Sequence, residues 1–202
     1  MKAIIFDLDG TLCYTKNIKD IVNIVLKHFG KTYNKKEAEK FWFMHNRDKR
    51  IDSLGIDTKE FWKTFHTREV FMARIQNTHF FKDIDSLLVL HKKGIKLALL
   101  TGSSHEISCK ILGRYKELFE TIVWADPIGD AASKPSPEGV NVCLKKLKTT
   151  IKETIYVGNS DEDIRTAMNA GIFSVLIDRK EHAHKLKPDA KIESLFELEK
   201  FV

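Results

Sequence analysis

Apolar runs and amphipathic stretches alternate along most of the chain. Runs that are apolar on both faces are typical of strands in a parallel sheet covered on two sides. We predict such strands at AIIFDL (3–8), IKLALLT (95–101), TIVWA (121–125), TIYVG (154–158) and FSVLID (173–178). The segments between the last four runs have helical spacing, and the alternation predicts an α/β fold with a doubly wound parallel sheet.

Polar residues mark the expected ends of these helices. Ser103 with Glu106, and Ser160 with Asp163, place a hydroxyl three residues before an acid, which is typical of a helix N-terminus. Gly171 follows a helical run, where a left-handed residue commonly ends a helix. These pairs support helices after the second and fourth predicted strands.

One interval, residues 15–78, contains no strand pattern. An apolar stripe over 18–29 predicts a first helix, Asn34 a second and Asp57 the start of a third. We therefore expect an all-helical insertion in this interval. Most of its aromatic side chains should form a core, namely Phe41, Trp42, Phe43, Phe61, Trp62, Phe65 and Phe71.

The insertion divides the expected domains. It leaves a discontinuous α/β core formed by residues 1–14 and 79–202, with the helical segment 15–78 between the two parts. A chain of 202 residues is long enough for one such domain with an insertion.

Composition limits the class of protein. The chain is 43% hydrophobic and 31% charged, and no apolar run approaches the roughly 20 residues of a membrane helix. The three cysteines are scattered, which favours reduced thiols, and no signal peptide is recognisable, so we expect a soluble cytoplasmic protein. The net charge of +6 is spread along the chain without a basic stripe, which argues against nucleic-acid binding.

Polar and charged residues follow four of the predicted strands. In open α/β sheets, ligands bind beyond the carboxyl ends of the strands. The residues that follow the strands, in order, are Asp7 and Asp9, then Thr101 and Gly102, then Lys134, and finally Asn159, Asp161 and Asp163. The sequence therefore predicts one site at this edge of the sheet.

The segments FDLDGT, LLTGSS, SKPSPEG and VGNSDEDIRTAMNAG resemble, in this order, the four motifs of the haloacid dehalogenase-like hydrolase superfamily. The insertion after the first strand is similar to that of its helical-cap subfamily, which includes phosphoglycolate phosphatases and β-phosphoglucomutases. The resemblance implies a Rossmann-like core with a helical cap over 15–78.

The same resemblance implies roles for individual residues. Asp7 would be the nucleophile that forms an aspartyl phosphate, and Asp9 the general acid and base. Thr101 and the amide of Gly102 would bind the phosphoryl oxygens, and Lys134 would offset negative charge. Retention of an acid at Asp9 favours phosphate esters over dehalogenation.

The resemblance also implies Mg²⁺ as cofactor. Its candidate ligands are Asp7, Asp9, Asn159 and Asp163, because Mg²⁺ prefers oxygen ligands. The family usually has an aspartate where this chain has Asn159, so we expect weaker Mg²⁺ binding with Asp163 as the charged partner. Asp161 is the alternative substitute ligand, although it is more simply an acid in the first helical turn.

We therefore expect a Mg²⁺-dependent phosphatase of small phosphorylated metabolites, without a nucleic-acid or membrane partner. A phosphohexomutase of the same superfamily and a non-catalytic phosphate-binding or phospho-receiver protein stay open as alternatives. The oligomeric state also stays open.

A polar stretch in the helical segment has two interpretations. His45, Asn46, Arg47, Lys49 and Arg50 could contact an anionic substrate. A solvated helix end with ordinary basic residues is the simpler interpretation.

Overall fold

The computed structural model describes residues 1–44, 47–126, 128–181 and 183–202. The chain divides into two compact units, which we call the core unit (Met1–Tyr14 with Phe80–Val202) and the helical unit (Thr15–His79). No helix in the described part of the chain is long and apolar enough to cross a membrane.

The core unit is built on a parallel sheet. In chain order, the strands of the protein are β1 (Ala3–Phe6), β2 (Cys13–Thr15), β3 (Thr78–Phe80), β4 (Lys96–Thr101), β5 (Phe119–Trp124), β6 (Thr154–Gly158), β7 (Phe173–Ile177) and β8 (Ala190–Ile192). Within the described residues, six strands pair in parallel in the order β5-β4-β1-β6-β7-β8, and β2 pairs with β3. The predicted doubly wound α/β class is confirmed.

The helices fall into two groups. Those of the helical unit are α1 (Ile18–His28), α2 (Lys35–Phe43), α3 (Arg47–Ser53), α4 (Thr58–Phe65) and α5 (Arg68–Asn77). Those of the core unit are α6 (Ser86–Lys92), α7 (His105–Leu112), α8 (Glu138–Leu147) and α9 (Asp161–Ala170). Short 3-10 helices lie at Gly113–Leu118, Ile151–Glu153 and Leu195–Phe201.

Both faces of the sheet are buried, which explains why its strands read as continuous apolar runs. Ile4 and Phe6 belong to a core that includes residues of α6, whereas Ala3 and Ile5 belong to a second core that includes residues of α8. Since successive side chains of a strand point to opposite faces, every position of β1 has to be apolar.

The helical unit has its own aromatic core. Phe41, Phe61 and Phe65 are buried there with aliphatic residues of α1, and Trp42 and Trp62 pack against them. The prediction that most of these aromatics are core is confirmed. Phe43 is the exception, since it is largely exposed. Phe71 is partly exposed.

Several elements differ from the prediction. The first strand ends at Phe6, two residues early, and β2, β3, β8, α3 and α5 were not expected. Ser104, not Ser103, caps α7, since its hydroxyl oxygen accepts from the amide of Ile107. The missed strands have only three residues each, and α5 (REVFMARIQN) carries no apolar stripe, so neither leaves a periodic pattern.

The strand order predicts a crevice at the carboxyl edge of the sheet. From β1 the connections lead to β4 and β5 on one side, and the chain then returns to β6, β7 and β8 on the other side. The strand order therefore reverses beside β1 and β6, and ligands of open α/β sheets bind at such a point.

Candidate active site

Three charged side chains meet at this crevice. The Nζ of Lys134 donates to Asp7 Oδ1 at 2.7 Å and to Asp163 Oδ1 at 2.7 Å. Asp7 follows β1, Asp163 lies in the first turn of α9 after β6, and Lys134 comes from the loop after β5. The structure thus brings together residues from three of the four motifs. Lys134 is 29 positions from Asp163 and 127 positions from Asp7 in the sequence.

The charges of this group do not balance. One buried lysine faces two buried carboxylates, so one negative charge is in excess. Burial raises the pKa of Asp7 to about 7, with Asp163 and Asp9 adding to the rise and Lys134 opposing it. Burial would lower the pKa of Lys134, but the carboxylates of Asp163 and Asp7 hold it well above its ordinary value.

Asp163 already has a full set of hydrogen-bond donors. Its Oδ1 accepts from Lys134 and, at 2.9 Å, from the hydroxyl of Tyr156. Its Oδ2 accepts from the amide of Ser160 at 3.1 Å and from the Ser160 hydroxyl at 2.6 Å. A carboxylate has about four acceptor positions, and all of them are occupied here. Burial raises the pKa of Asp163, but Lys134, Ser160 and Tyr156 together lower it below its ordinary value.

A glycine leaves the space for this arrangement. A Cβ on Gly158 would lie 2.3 Å from the Cβ of Asp163, so the carboxylate packs directly against the backbone of β6. The same capping box that predicted the start of α9 is present, with Ser160 and Asp163 bonded to each other's backbone amides.

The turn after β1 contacts both Asp7 and Asn159. The Thr11 hydroxyl lies 3.2 Å from Asp7 Oδ2 and 3.5 Å from Asn159 Oδ1. Gly10 adopts a φ of +83°, and a Cβ there would lie 2.0 Å from the Asn159 amide nitrogen. The left-handed turn and the close approach both require glycine at this position.

Asp9 contacts the second motif. Its Oδ2 accepts from the Ser103 hydroxyl at 2.9 Å, and the Ser103 amide donates to Thr101 Oγ1 at 3.1 Å. Thr101 is buried at the end of β4, and Gly102 follows it in an exposed loop. Ser103 is therefore a link between Asp9 and the predicted phosphate-binding residues, a role that its interpretation as a helix cap missed.

Asp161 faces a different segment. Its carboxylate accepts from the backbone amides of Lys185 at 3.0 Å and of Leu186 at 3.1 Å. It lies in the first turn of α9, as expected, but it anchors the loop before β8. This geometry does not favour Asp161 as a substitute metal ligand.

The basic stretch of the helical unit is engaged in local packing. Arg47 lies over the ring of Trp62 and Arg50 donates to the Tyr33 hydroxyl at 2.8 Å, while Lys49 is exposed. His45 and Asn46 lie outside the described residues. These contacts favour the interpretation as an ordinary basic helix end.

The residues at the crevice fit a magnesium ion, with limited charge. Within the described residues, no three His, Cys, Asp or Glu side chains form a group that could hold a metal. Asp7 Oδ2 and Asn159 Oδ1 nevertheless both lie within reach of one hydroxyl, that of Thr11, and the excess negative charge of Asp7 favours a cation. Mg²⁺ commonly takes one or two carboxylates and completes its shell with water and substrate phosphate.

Tyr156 is a second site residue whose role sequence reasoning missed. It lies within the apolar run of β6, where an aromatic residue indicates only core packing, and it is buried. Burial raises the pKa of Tyr156 well above its ordinary value, with Asp163 adding to the rise. The phenol therefore stays a hydrogen-bond donor to Asp163 at neutral pH.

Comparisons with known proteins agree with these motifs. A family model described as haloacid dehalogenase-like hydrolase matches residues 4–177. The chain is 26% identical to the pyrophosphatase PpaX of Anoxybacillus flavithermus, over 98% of this chain and 95% of that protein. It is 26% identical to a phosphoglycolate phosphatase of Aliivibrio fischeri, over 86% of this chain and 82% of that protein.

A solved structure is similar in fold. The crystal structure of CbbY from Rhodobacter sphaeroides in complex with phosphate has a TM-score of 0.80 to this chain at 20% identity. The match covers 98% of this chain and 96% of that one.

Proposed function

This chain belongs to the haloacid dehalogenase-like hydrolases, and on that premise we propose that it is a Mg²⁺-dependent phosphatase of small phosphorylated metabolites that works through an aspartyl-phosphate intermediate. The observation that carries the proposal is the group formed by Asp7, Lys134 and Asp163 at the point where strand order reverses. Its excess negative charge and its lysine suit a site that binds a cation together with a phosphoryl group.

The first chemical step uses Asp7. A carboxylate oxygen of Asp7 attacks phosphorus while the ester P–O bond breaks, and Asp9, in its acid form, gives a proton to the leaving alkoxide. Lys134 holds Asp7 in place through the 2.7 Å hydrogen bond to Oδ1. Its charge also offsets the negative charge on the phosphoryl oxygens.

The second step reverses the role of Asp9. As a carboxylate, Asp9 takes a proton from water, the water oxygen attacks phosphorus, and the acyl phosphate bond breaks to return Asp7 and phosphate. Thr101 and the amide of Gly102 are the expected donors to the phosphoryl oxygens, since they follow β4 at the same edge of the sheet.

We propose Asp7 and Asn159 as the side chains that would hold Mg²⁺ directly. When bound, the ion offsets charge on the transferring phosphoryl group. Asp163 is better assigned to positioning Lys134, because its four acceptor positions are filled by protein donors. Asp9 is assigned to proton transfer, with Ser103 orienting it.

Turnover of p-nitrophenyl phosphate tests the proposal. Wild-type protein should release p-nitrophenol steadily with Mg²⁺, and Asp7→Asn serves as the blank. Binding of phosphate without turnover would support the phosphate-binding or phospho-receiver alternative instead. Inorganic pyrophosphate and phosphoglycolate belong in the same screen, because the similar proteins are named as a pyrophosphatase and a phosphoglycolate phosphatase.

The role of Asp9 has a separate test. Asp9→Asn should reduce turnover of alkyl phosphates about 10²- to 10⁴-fold. It should reduce turnover of activated aryl phosphates less, because their leaving groups need little protonation. Equal losses on the two substrate classes would contradict a dominant role in protonating the leaving group.

We also propose that the helical unit, Thr15–His79, is a cap that selects the substrate, as the family resemblance implies. Replacing residues 15–78 by a short linker should broaden the range of phosphate esters that a folded variant hydrolyses. An unchanged substrate profile would contradict this role.

A further inference from the structure

A second buried ion pair lies in the core unit. Arg179, which follows β7, donates from Nη1 to Asp83 Oδ2 at 2.8 Å and from Nη2 to Asp83 Oδ1 at 3.0 Å. Both side chains are buried, and the guanidinium carbon lies 3.8 Å from the centre of the Phe81 ring. Two parallel hydrogen bonds and a stacked face fix the plane of the guanidinium.

The same guanidinium reaches the turn after β1. Nη2 of Arg179 also donates to the backbone carbonyl of Thr11 at 2.7 Å. Thr11 is the residue whose hydroxyl contacts Asp7 and Asn159. One cation is therefore connected to the proposed nucleophile through a single residue.

The contact from Arg179 adds to the hydrogen bonds within the turn. Within the turn, the amides of Thr11, Leu12 and Cys13 all point to one acceptor, the carbonyl of Leu8, at 2.9 to 3.3 Å. The amide of Gly10 also donates to the carbonyl of Cys13 at 2.7 Å, and the 3.3 Å bond of Thr11 is the longest of the three to Leu8. The contact from Arg179 fixes the carbonyl of Thr11 from outside the turn.

The anchor of Arg179 is itself fixed. Asp83 Oδ2 also accepts from the amide of Leu195 at 2.9 Å, and the Phe81 amide donates to the carbonyl of Leu12 at 3.1 Å. The segment 81–83 is thus bonded to the turn on one side and to the C-terminal 3-10 helix on the other. The carboxylate is a rigid support for the guanidinium.

We propose that Arg179 is a positioning residue for catalysis, held by Asp83, which fixes Thr11 so that its hydroxyl keeps the carboxylate of Asp7 oriented for attack. The inference rests on the proposed function, because it assigns a role in the same site. Lysine cannot replace arginine here, since one ammonium group cannot make a two-bond pair with Asp83 and contact the Thr11 carbonyl in the same plane.

Arg179→Lys tests the proposal in the full-length protein with Mg²⁺ and p-nitrophenyl phosphate. We expect kcat to fall about 10- to 100-fold, because small misplacements of reacting groups cost this much, while KM changes by less than about threefold. Arg165→Lys, on the exposed part of α9, is the matched control and should leave kcat unchanged. Circular dichroism and thermal unfolding verify that each variant is folded at the assay temperature.

A double-mutant cycle separates positioning from simple stabilisation. Thr11→Val removes the hydroxyl and keeps the shape, so Arg179→Lys should then lower kcat by less than about threefold further. Additive losses would overturn the proposal, as would a folded Arg179→Lys protein with a lowered unfolding temperature and wild-type kcat. If Arg179→Lys does not fold, Asp83→Asn is combined with Thr11→Val instead. Non-additive losses in kcat then support the proposal, and additive losses overturn it.

The result is distinguishable from a failure of the proposed function. If the wild type has no turnover above the Asp7→Asn blank, the phosphatase assignment fails and the inference fails with it. If the wild type is active and Arg179→Lys has wild-type kcat, the positioning role alone fails.

Discussion

The core unit contains two buried groups of charged side chains that differ in charge balance. Lys134 faces Asp7 and Asp163, with side-chain exposures of 9%, 7% and 1%. Arg179 faces Asp83 alone, with exposures of 8% and 11%. Solvent exposure of the side chains is similar in the two groups, but Asp83 is less deeply buried than Asp7, so the groups differ both in the number of carboxylates per cation and in depth of burial.

The pKa values of the two groups follow this difference. Burial raises the pKa of Asp7 to about 7, because Lys134 is shared with Asp163 and cannot offset the cost in full. Partial burial also raises the pKa of Asp83, but hydrogen bonds from Arg179 and Leu195 outweigh it and hold the pKa below its ordinary value. The paired carboxylate of Asp83 stays ionised to lower pH, whereas Asp7 holds its proton to higher pH; under the proposed function, the excess negative charge beside Lys134 would favour a cationic ligand.

The largest expected effect is that of Asp7→Asn. Loss of the nucleophile should lower kcat on the order of 10⁴-fold or more. Because the substitution also removes the excess charge, the metal-free variant should unfold at the same temperature as the wild type or above it at pH 8. Asp20→Asn, at an exposed position of α1, is the control for both measurements.

The sign of the pH dependence follows from the raised pKa of Asp7. Between about pH 7 and the unfolded value of about 3.9, the folded state binds more protons, so this group adds stability as pH falls. Asp7→Asn should remove that gain in EDTA-treated protein. A lower unfolding temperature of Asp7→Asn at pH 8 would contradict the excess-charge interpretation.

Lys134→Met should damage both activity and stability. It leaves Asp7 and Asp163 buried side by side without a cation, which should cost about 4 kcal/mol in the free energy of unfolding at pH 8. Turnover should fall about 10²- to 10³-fold. Lys145→Met on exposed α8 is the control. Acidification toward pH 5 should recover part of the stability, because the unpaired carboxylates then bind protons; no recovery would argue against like-charge repulsion.

Asp83→Asn tests the balanced pair. At pH 7 it should lower the free energy of unfolding by about 3 kcal/mol, measured by urea denaturation, because the guanidinium loses its counter-charge. The wild-type pKa is lowered, so this stabilisation is present above about pH 3.9 and is lost as pH falls through the folded value. The difference between wild type and variant should therefore shrink below pH 4, and a constant difference down to pH 2.5 would contradict this account.

The two groups also differ in how far the sequence predicts them. Asp7 and Asp163 follow predicted strands, whose carboxyl ends meet at one edge of a parallel sheet, and Lys134 lies in a segment that resembles a family motif, so the sequence indicates all three. Arg179 and Asp83 lie 96 positions apart and have no local pattern in common. Their pairing depends on the packing of segments after β3 and β7, which periodicity does not reveal.

Local sequence patterns do not predict which of several neighbouring side chains caps a helix or contacts the site. Only Ser103 has an acid three residues later, yet the cap of α7 is its neighbour Ser104, while the Ser103 hydroxyl donates to Asp9. Tyr156 lies in a run predicted only as a strand, although its hydroxyl donates to Asp163 Oδ1 at 2.9 Å. Such contacts between a strand and a helix, or between two loops, are set by tertiary packing and leave no trace in the pattern of one strand.

A smaller effect is expected for the charge that Asn159 does not supply. Its amide oxygen lies near the Thr11 hydroxyl, which also contacts Asp7, so a carboxylate at this position would add a second charged ligand beside the first. Asn159→Asp should therefore lower the Mg²⁺ concentration for half-maximal activity about tenfold. Metal-free Asn159→Asp should also be less stable than wild type and gain more from added Mg²⁺ in thermal unfolding.

Two further variants decide which acid supports the metal. Asp163→Ala should raise the Mg²⁺ requirement or abolish turnover. Without Asp163, Lys134 has Asp7 as its one remaining carboxylate partner and offsets the negative charge that attracts the cation. Asp161→Ala should change the requirement little, since its carboxylate holds the amides of Lys185 and Leu186. If Asp161→Ala is the damaging change and Asp163→Ala is tolerated, Asp161 supports the metal. The proposal that the excess charge of Asp7 and Asp163 attracts the ion is then wrong.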